Sequence, residues 1–176
     1  MIDFLAGPVL EAARGLLGRR LVSDIGGARC VVVLTEVEAY DGADDPASHA
    51  FGGLTRRNAS MFEGPGTLYV YRSYGVHWCM NIVCGPPGRA SAVLLRAGTP
   101  VEGIEVMTRR RGRNERLASG PGNLTKALGV SGEHDGTSVL TGPLRIDGEP
   151  ATGTIVASPR IGISQAVERP WRFVLR

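Results

Sequence analysis

The stretch Ala28-Arg29-Cys30-Val31-Val32-Val33-Leu34-Thr35-Glu36-Val37-Glu38-Ala39-Tyr40 decides how this chain is read. Its run of β-branched residues is stiff at χ1 and fits a pleated surface better than a helix. It predicts a largely buried strand. Side chains two apart share a face, so Cys30, Val32, Leu34, Glu36, Glu38 and Tyr40 are expected on one side. That face passes from apolar to acidic and aromatic toward the strand's end.

Working outward, Pro8 to Leu17 predicts a helix. Proline stands at its start and Gly18 after it, with Val9, Ala12, Ala13, Leu16 and Leu17 on one side. Leu21 to Ser23 predicts a strand, joined to the quoted stretch through the Gly26-Gly27 turn. Thr67 to Ser73 and Val76 to Cys84 predict a hairpin around Tyr74-Gly75, with Tyr69, Tyr71 and Ser73 on one face and Leu68 and Val70 on the other. On its return arm His77, Cys79 and Asn81 alternate with Trp78, Met80 and Ile82. Ala92 to Ala97 predicts another strand, Val101 to Arg110 a short helix, and Gly120-Pro121-Gly122 the opening of a helix over Leu124 to Leu128. Short strands are expected near 142–146, 154–163 and 171–175. Strands dominate and hairpins join most of them, which gives an α+β class with a curved, largely antiparallel sheet. Asp41 to Ser60 is polar, carries the Gly52-Gly53 pair, and is too long to be idle in a compact domain.

At 176 residues with 43% hydrophobic content the chain is sized for a single domain with its own core, spanning 1–176. It has no repeat, linker or low-complexity tract, and no run of about 18 apolar residues that would span a membrane. Met1-Ile2-Asp3-Phe4-Leu5 lacks the basic and apolar regions of a secretory signal. Cys30, Cys79 and Cys84 are odd in number and two of them sit in apolar runs, the pattern of reduced buried thiols in a cytoplasmic protein. No CxxC pair or His/Cys spacing points to a metal, and no cofactor is called for.

Net charge is +3 and the pI about 9.0, compatible with a nucleic-acid partner without requiring one. Lys126 is the sole lysine; arginine supplies the rest, with a planar fork suited to phosphate. The cluster Arg109 to Arg113, with Arg116 beyond it, is a run that most often marks a solvated helix end, where cations also favour the helix dipole. Glu36 and Glu38 fit a solvated strand face, and the tyrosines cross-strand packing. Taken singly, those are the better readings; in combination, acid, aromatic rings and arginine are what a site needs to grip a flat base and cut the bond holding it.

Taken together, the blocks TEVEAY, DPASHAFGGLTRRNASMF, PGTLYVYRSYGVHWCMNIV, VLLRAGTPVEG, SGPGNLTKALG, PRIGIS and RPWRFVL resemble, in order, the alkyladenine (3-methyladenine) DNA glycosylase family. The resemblance covers residues 34 to 175 and implies a compact α+β domain with flanking helices and a protruding tyrosine hairpin. It implies a DNA repair enzyme that acts on double-stranded DNA, extrudes alkylated or deaminated purines and hydrolyses the N-glycosidic bond. A soluble monomer, cytoplasmic or at the bacterial nucleoid, is the corresponding expectation. By position, Glu38 matches the glutamate that activates water, and Arg96 the arginine that helps hold glutamate and water. Tyr40, His49 and Tyr71 match the residues that hold the extruded base. Asn81 matches the asparagine on the pocket floor that disfavours guanine's exocyclic amine, and Tyr74 the wedge that fills the gap in the duplex. Arg72, Lys126 and Ile163 are the further expected DNA contacts, Lys126 because it follows a Gly-Pro-Gly helix start. The chain departs locally at Arg72-Ser73 and His77-Trp78, beside the expected wedge.

Two rival readings remain. One is a non-catalytic nucleic-acid-binding domain. The other is a glycoside hydrolase built on Glu36 and Glu38, which the side-by-side placement of two carboxylates on one strand disfavours.

Overall fold

The computed structural model describes residues 3–176; Met1 and Ile2, where the N-terminal reading begins, lie outside them. Strands β1 (Arg20–Ser23), β2 (Cys30–Asp41), β3 (Leu68–Ser73), β4 (His77–Cys84), β5 (Ser91–Glu102), β6 (Leu144–Asp147), β7 (Ile155–Ser158) and β8 (Arg172–Leu175) form one curled sheet. Its order is β3-β4-β5-β2-β1-β6, and β8, carrying β7, pairs with β2 as well. Every pairing between these strands is antiparallel.

The quoted stretch is the spine of this sheet. β5 runs along one edge of β2 for most of its length. On the other edge β1 covers its start, from Cys30 to Val33, and β8 its end, from Glu36 to Glu38. The C-terminal segment is thereby tied to the carboxylates.

One expectation is corrected here. Strict alternation would place Glu36, Glu38 and Tyr40 beneath Cys30, Val32 and Leu34, yet the core contains Cys30, Val32 and Leu34 followed by Val37 and Ala39. The pairing shifts register between Leu34, which faces Gly98, and Glu36, which faces Ala97. A β-bulge adds one residue on one strand and inverts the side-chain sequence beyond it. The bulge therefore turns Glu36, Glu38 and Tyr40 away from the apolar core. A second irregularity, between Glu36 and Val37, skips Arg96 on β5.

Helices α1 (Val9–Leu16), α2 (Ile104–Arg111) and α3 (Pro121–Leu128) cover the core face of the sheet. Val9, Ala12, Ala13, Leu16 and Leu17 are buried as their spacing predicts, each large one contributing about 1.5–3 kcal/mol. The β5–α2 boundary falls later than expected, because Val101 and Glu102 remain in the strand and Glu102 pairs with Val31. Gly103 makes the switch at φ 75°, where a Cβ would come within 2.4 Å of the Arg29 carbonyl oxygen. Near the C-terminus only Ile155–Ser158 of the expected 154–163 strand is extended and paired.

The opposite face of the sheet is roofed by the 41–65 segment. Ala50 and Met61 from this roof pack on Tyr69, Val83 and Ala92 of the strands. At the far end of the β3–β4 hairpin Tyr74 and Gly75 adopt φ 49° and 68°, and the Val76 N–H donates to the Ser73 carbonyl at 3.0 Å. A left-handed tyrosine is uncommon and costly, and such strain is kept where the surroundings impose it. Among the described residues no helix is long and apolar enough to cross a membrane.

Candidate active site

A cleft of about 620 Å³ opens on the face to which the bulge turns Tyr40. Glu38 lies beneath it, fully buried. Its Oε1 accepts the Ile161 backbone N–H at 2.8 Å; its Oε2 accepts the Tyr40 hydroxyl at 2.9 Å and Arg96 Nη1 at 3.3 Å. Tyr40, Arg96 and Ile161 all line the cleft. A buried carboxylate is tolerated only when paired and hydrogen-bonded, and these three donors supply that. A carboxylate offers about four lone-pair sites, so Oε1 retains one.

Glu36 is the outer carboxylate. It accepts Arg96 Nε at 2.8 Å and Arg172 Nε at 2.7 Å on Oε1. Burial pushes its carboxyl upward, but Arg172 and then Arg96 outweigh that and hold it below the ordinary carboxylate range. Arg96 thus bridges both acids, and their charge raises its own value against the effect of burial.

A second buried pair stands behind Tyr40. Arg160 forks onto both oxygens of Asp45, and Nη1 also donates to the Ala39 carbonyl at 2.9 Å. Its guanidinium lies 4.6 Å from the Tyr40 ring centroid and 5.2 Å from that of Trp171. Burial drives the Asp45 carboxyl up, and the Arg160 hydrogen bonds and charge bring it below normal. Burial and the Glu38 charge drive the Tyr40 phenol well above its usual value, so it stays protonated.

The aromatic wall comes from β3 and the roof. Tyr69 and Tyr71 stack at 5.5 Å, and His49 meets Tyr71 edge-on at 4.5 Å. His49 Nδ1 lies 2.9 Å from the Tyr69 hydroxyl. Burial, then the nearby Arg57 charge, lowers the His49 value, which keeps the ring neutral at physiological pH. Burial pushes Tyr69 up to about 12. Asn58 fixes the roof by donating to the His49 and Gly53 carbonyls at 2.9 and 3.0 Å. On the floor Asn81 donates to the Tyr69 carbonyl at 3.1 Å, beside Cys79.

The methylpurine-DNA glycosylase (MPG) family model matches residues 3–176. The chain belongs to that family. A Rhodopseudomonas palustris (strain BisB18) protein is 52% identical over 176 residues, covering 99% of this chain and 86% of the relative. A Granulibacter bethesdensis protein is 53% identical over 178 residues, covering 97% and 81%. An Agrobacterium fabrum protein is 47% identical over 176 residues, covering 98% and 86%. Each carries the name "Putative 3-methyladenine DNA glycosylase".

Within this methylpurine-DNA glycosylase family member, Tyr40, His49, Tyr71, Asn81, Arg96 and Ile163 all line the one cleft, with Glu38 directly beneath. Tyr74 sits at its rim and is 92% exposed. Arg72 is exposed and leans over Trp78 at 5.6 Å. Lys126 is exposed in the last turn of α3, away from the Gly-Pro-Gly opening, and does not line the cleft; Pro121 of that opening does. Among the described residues no group of His, Cys, Asp and Glu could hold a metal ion. Sequence reasoning missed Arg160 and Asp45, Arg172, Arg57 and the Ile161 N–H. Asp45 and Arg57 lie in the long polar segment and Arg160 and Ile161 in the PRIGIS block. Arg172 lies in the RPWRFVL block, and those three stretches were the signal available.

Proposed function

We propose that this chain is a monofunctional purine DNA glycosylase that works in base excision repair as a single domain and a monomer. The observation that carries the reading is the Glu38 carboxylate, buried at the base of an aromatic cleft with one lone pair of Oε1 unclaimed. Family membership and the relatives' names support the substrate class. The substrates are alkylated or deaminated purines in double-stranded DNA, namely 3-methyladenine, 7-methylguanine, hypoxanthine and ethenoadenine. Such an enzyme works in the cytoplasm, at the nucleoid in a bacterium.

A base inside a duplex is out of reach, so it must be flipped out at a cost of a few kcal/mol. Tyr74, on its stiff hairpin, fills the space left behind and hinders return. The extruded base enters the cleft that Tyr40, Tyr71 and His49 line, where aromatic stacking contributes about 1–3 kcal/mol and tolerates different bases. His49 is neutral; with Tyr69 donating to Nδ1, it offers Nε2–H to an acceptor on the base edge. Asn81 on the floor disfavours guanine's exocyclic amine.

A water on Oε1 then gives its proton to Glu38 as its oxygen bonds the sugar C1′. The C1′–N bond breaks, and its electron pair leaves with the base. A general base of this kind contributes about 10²–10⁴ in rate. Arg96, fixed by both glutamates, keeps the carboxylate aimed. Lys126, exposed on α3, does not face the cleft, which favours water over an amine nucleophile. Arg72, Ile163 and Lys126 serve as DNA contacts around the site.

The test is a base-release assay on duplexes that each carry one of the four lesions. Release of free base with an intact abasic strand is expected. Tight lesion binding with no release from any duplex would favour a non-catalytic binding domain instead.

A further inference from the structure

Arg57 is a cation on the aromatic wall that the chemistry above leaves unused. It lines the cleft and its Cζ lies 5.8 Å from the Tyr71 ring centroid, within cation–π range. The other cations at the site are spoken for: Arg96 and Arg172 bind Glu36, and Arg160 binds Asp45. Arg57 forms no ion pair among the described residues. Its charge is felt at both His49 and Tyr69, lowering the one and opposing the rise of the other.

A flat ring held between a guanidinium and a tyrosine needs about 7 Å between them, two carbon contacts of about 3.5 Å each. The observed 5.8 Å is about 1 Å short. Arg57 is exposed, so a small outward swing opens the slot without disturbing the core. A base seated there has Tyr71 on one face and a full positive charge close to the other. Neutral bases gain from both partners, because arginine stacks well on planar rings. A base that is itself cationic gains from the tyrosine but is repelled by the arginine.

We propose that Arg57 is a specificity-determining residue that closes over the extruded base opposite Tyr71 and biases this chain toward neutral lesion bases over cationic ones. The proposal rests on the reading of the cleft as a purine pocket. The repulsion acts at a partly solvated mouth, so its expected size is about three- to tenfold in relative specificity.

The experiment compares single-turnover kcat/KM on hypoxanthine (neutral) and 7-methylguanine (cationic in DNA) for wild type, Arg57→Gln and Arg57→Lys. Because Arg57 is exposed, both variants should melt with wild type. Arg57→Gln should raise the 7-methylguanine-to-hypoxanthine ratio about three- to tenfold. Arg57→Lys, which keeps the charge, should stay within about twofold of wild type. An unchanged ratio in Arg57→Gln, with both lesions falling by one factor, would make Arg57 a phosphate contact and overturn the inference. If wild type releases neither base, the glycosylase reading itself fails, and the inference with it.

Discussion

Asp45→Asn removes half of a pair whose two side chains are both fully buried. Arg160 would lose its bidentate partner, keeping only the Ala39 carbonyl and the faces of Tyr40 and Trp171. An asparagine has one acceptor oxygen, so it keeps the Ala47 N–H on Oδ1 but loses the Asp41 N–H from the other position, and the charge on Arg160 is left uncompensated. Breaking a buried pair from one side costs about 3–5 kcal/mol. In a chain of this size each kcal/mol moves Tm by about 2–4 °C, so a fall of about 6–20 °C is expected at neutral pH. The pH dependence follows from the lowered Asp45 value. A carboxyl depressed by folding stabilises fully above its unfolded value, about 3.9, and loses that as pH falls through the folded value. The gap between wild type and Asp45→Asn should therefore close toward acid. Thermal melts from pH 7 down to pH 3 measure it, and a Tm drop under about 2 °C at pH 7 would refute the reasoning. Arg160 also backs Tyr40 and precedes Ile161, whose N–H holds Glu38. Excision well below Tm should therefore fall as well.

Tyr74→Ser should leave Tm nearly unchanged, because a ring 92% exposed adds little to the core. Excision from a fully paired duplex should suffer more than from a mismatched one, where flipping is easier; equal losses on both would make Tyr74 something other than a wedge. Borohydride should trap no covalent complex with lesion DNA even with enzyme in excess, and an adduct that vanishes in Lys126→Ala would overturn the water mechanism.

How much of this was legible in the sequence depends on the range of the interactions involved. The tyrosine faces of the hairpin followed from two-residue alternation, and α1 from its apolar stripe and flanking Pro8 and Gly18. Alternation failed on β2, because a bulge at Leu34–Glu36 is set by what the partner strand β5 presents, and nothing local marks it. The same fault hid which of the two neighbours Val37 and Glu38 enters the core: Val37 does, and Glu38 turns toward the cleft. The helix expected from Val101 started late because strand pairing with Val31 outweighed a local helical pattern. Glu38, Tyr40, His49, Tyr71, Asn81 and Arg96 came from motif resemblance, and the structure gathers them around one cleft. Asp45 and Arg160 are far apart in the chain and meet only when the C-terminal segment folds back over the end of β2. Pairing at that separation leaves no trace in one sequence.

The central claim is that Glu38, and not Glu36, activates the water. The direct measurement is single-turnover release of hypoxanthine by Glu38→Gln and Glu36→Gln, alongside their affinity for lesion duplex. A glutamine at 38 keeps an oxygen for the Ile161 N–H but cannot take up the proton, so binding should persist while release falls by about 10²–10⁴. Glu36→Gln weakens the hold on Arg96 and Arg172 and should lose much less. Near wild-type release by Glu38→Gln, with Glu36→Gln inactive, would contradict the account.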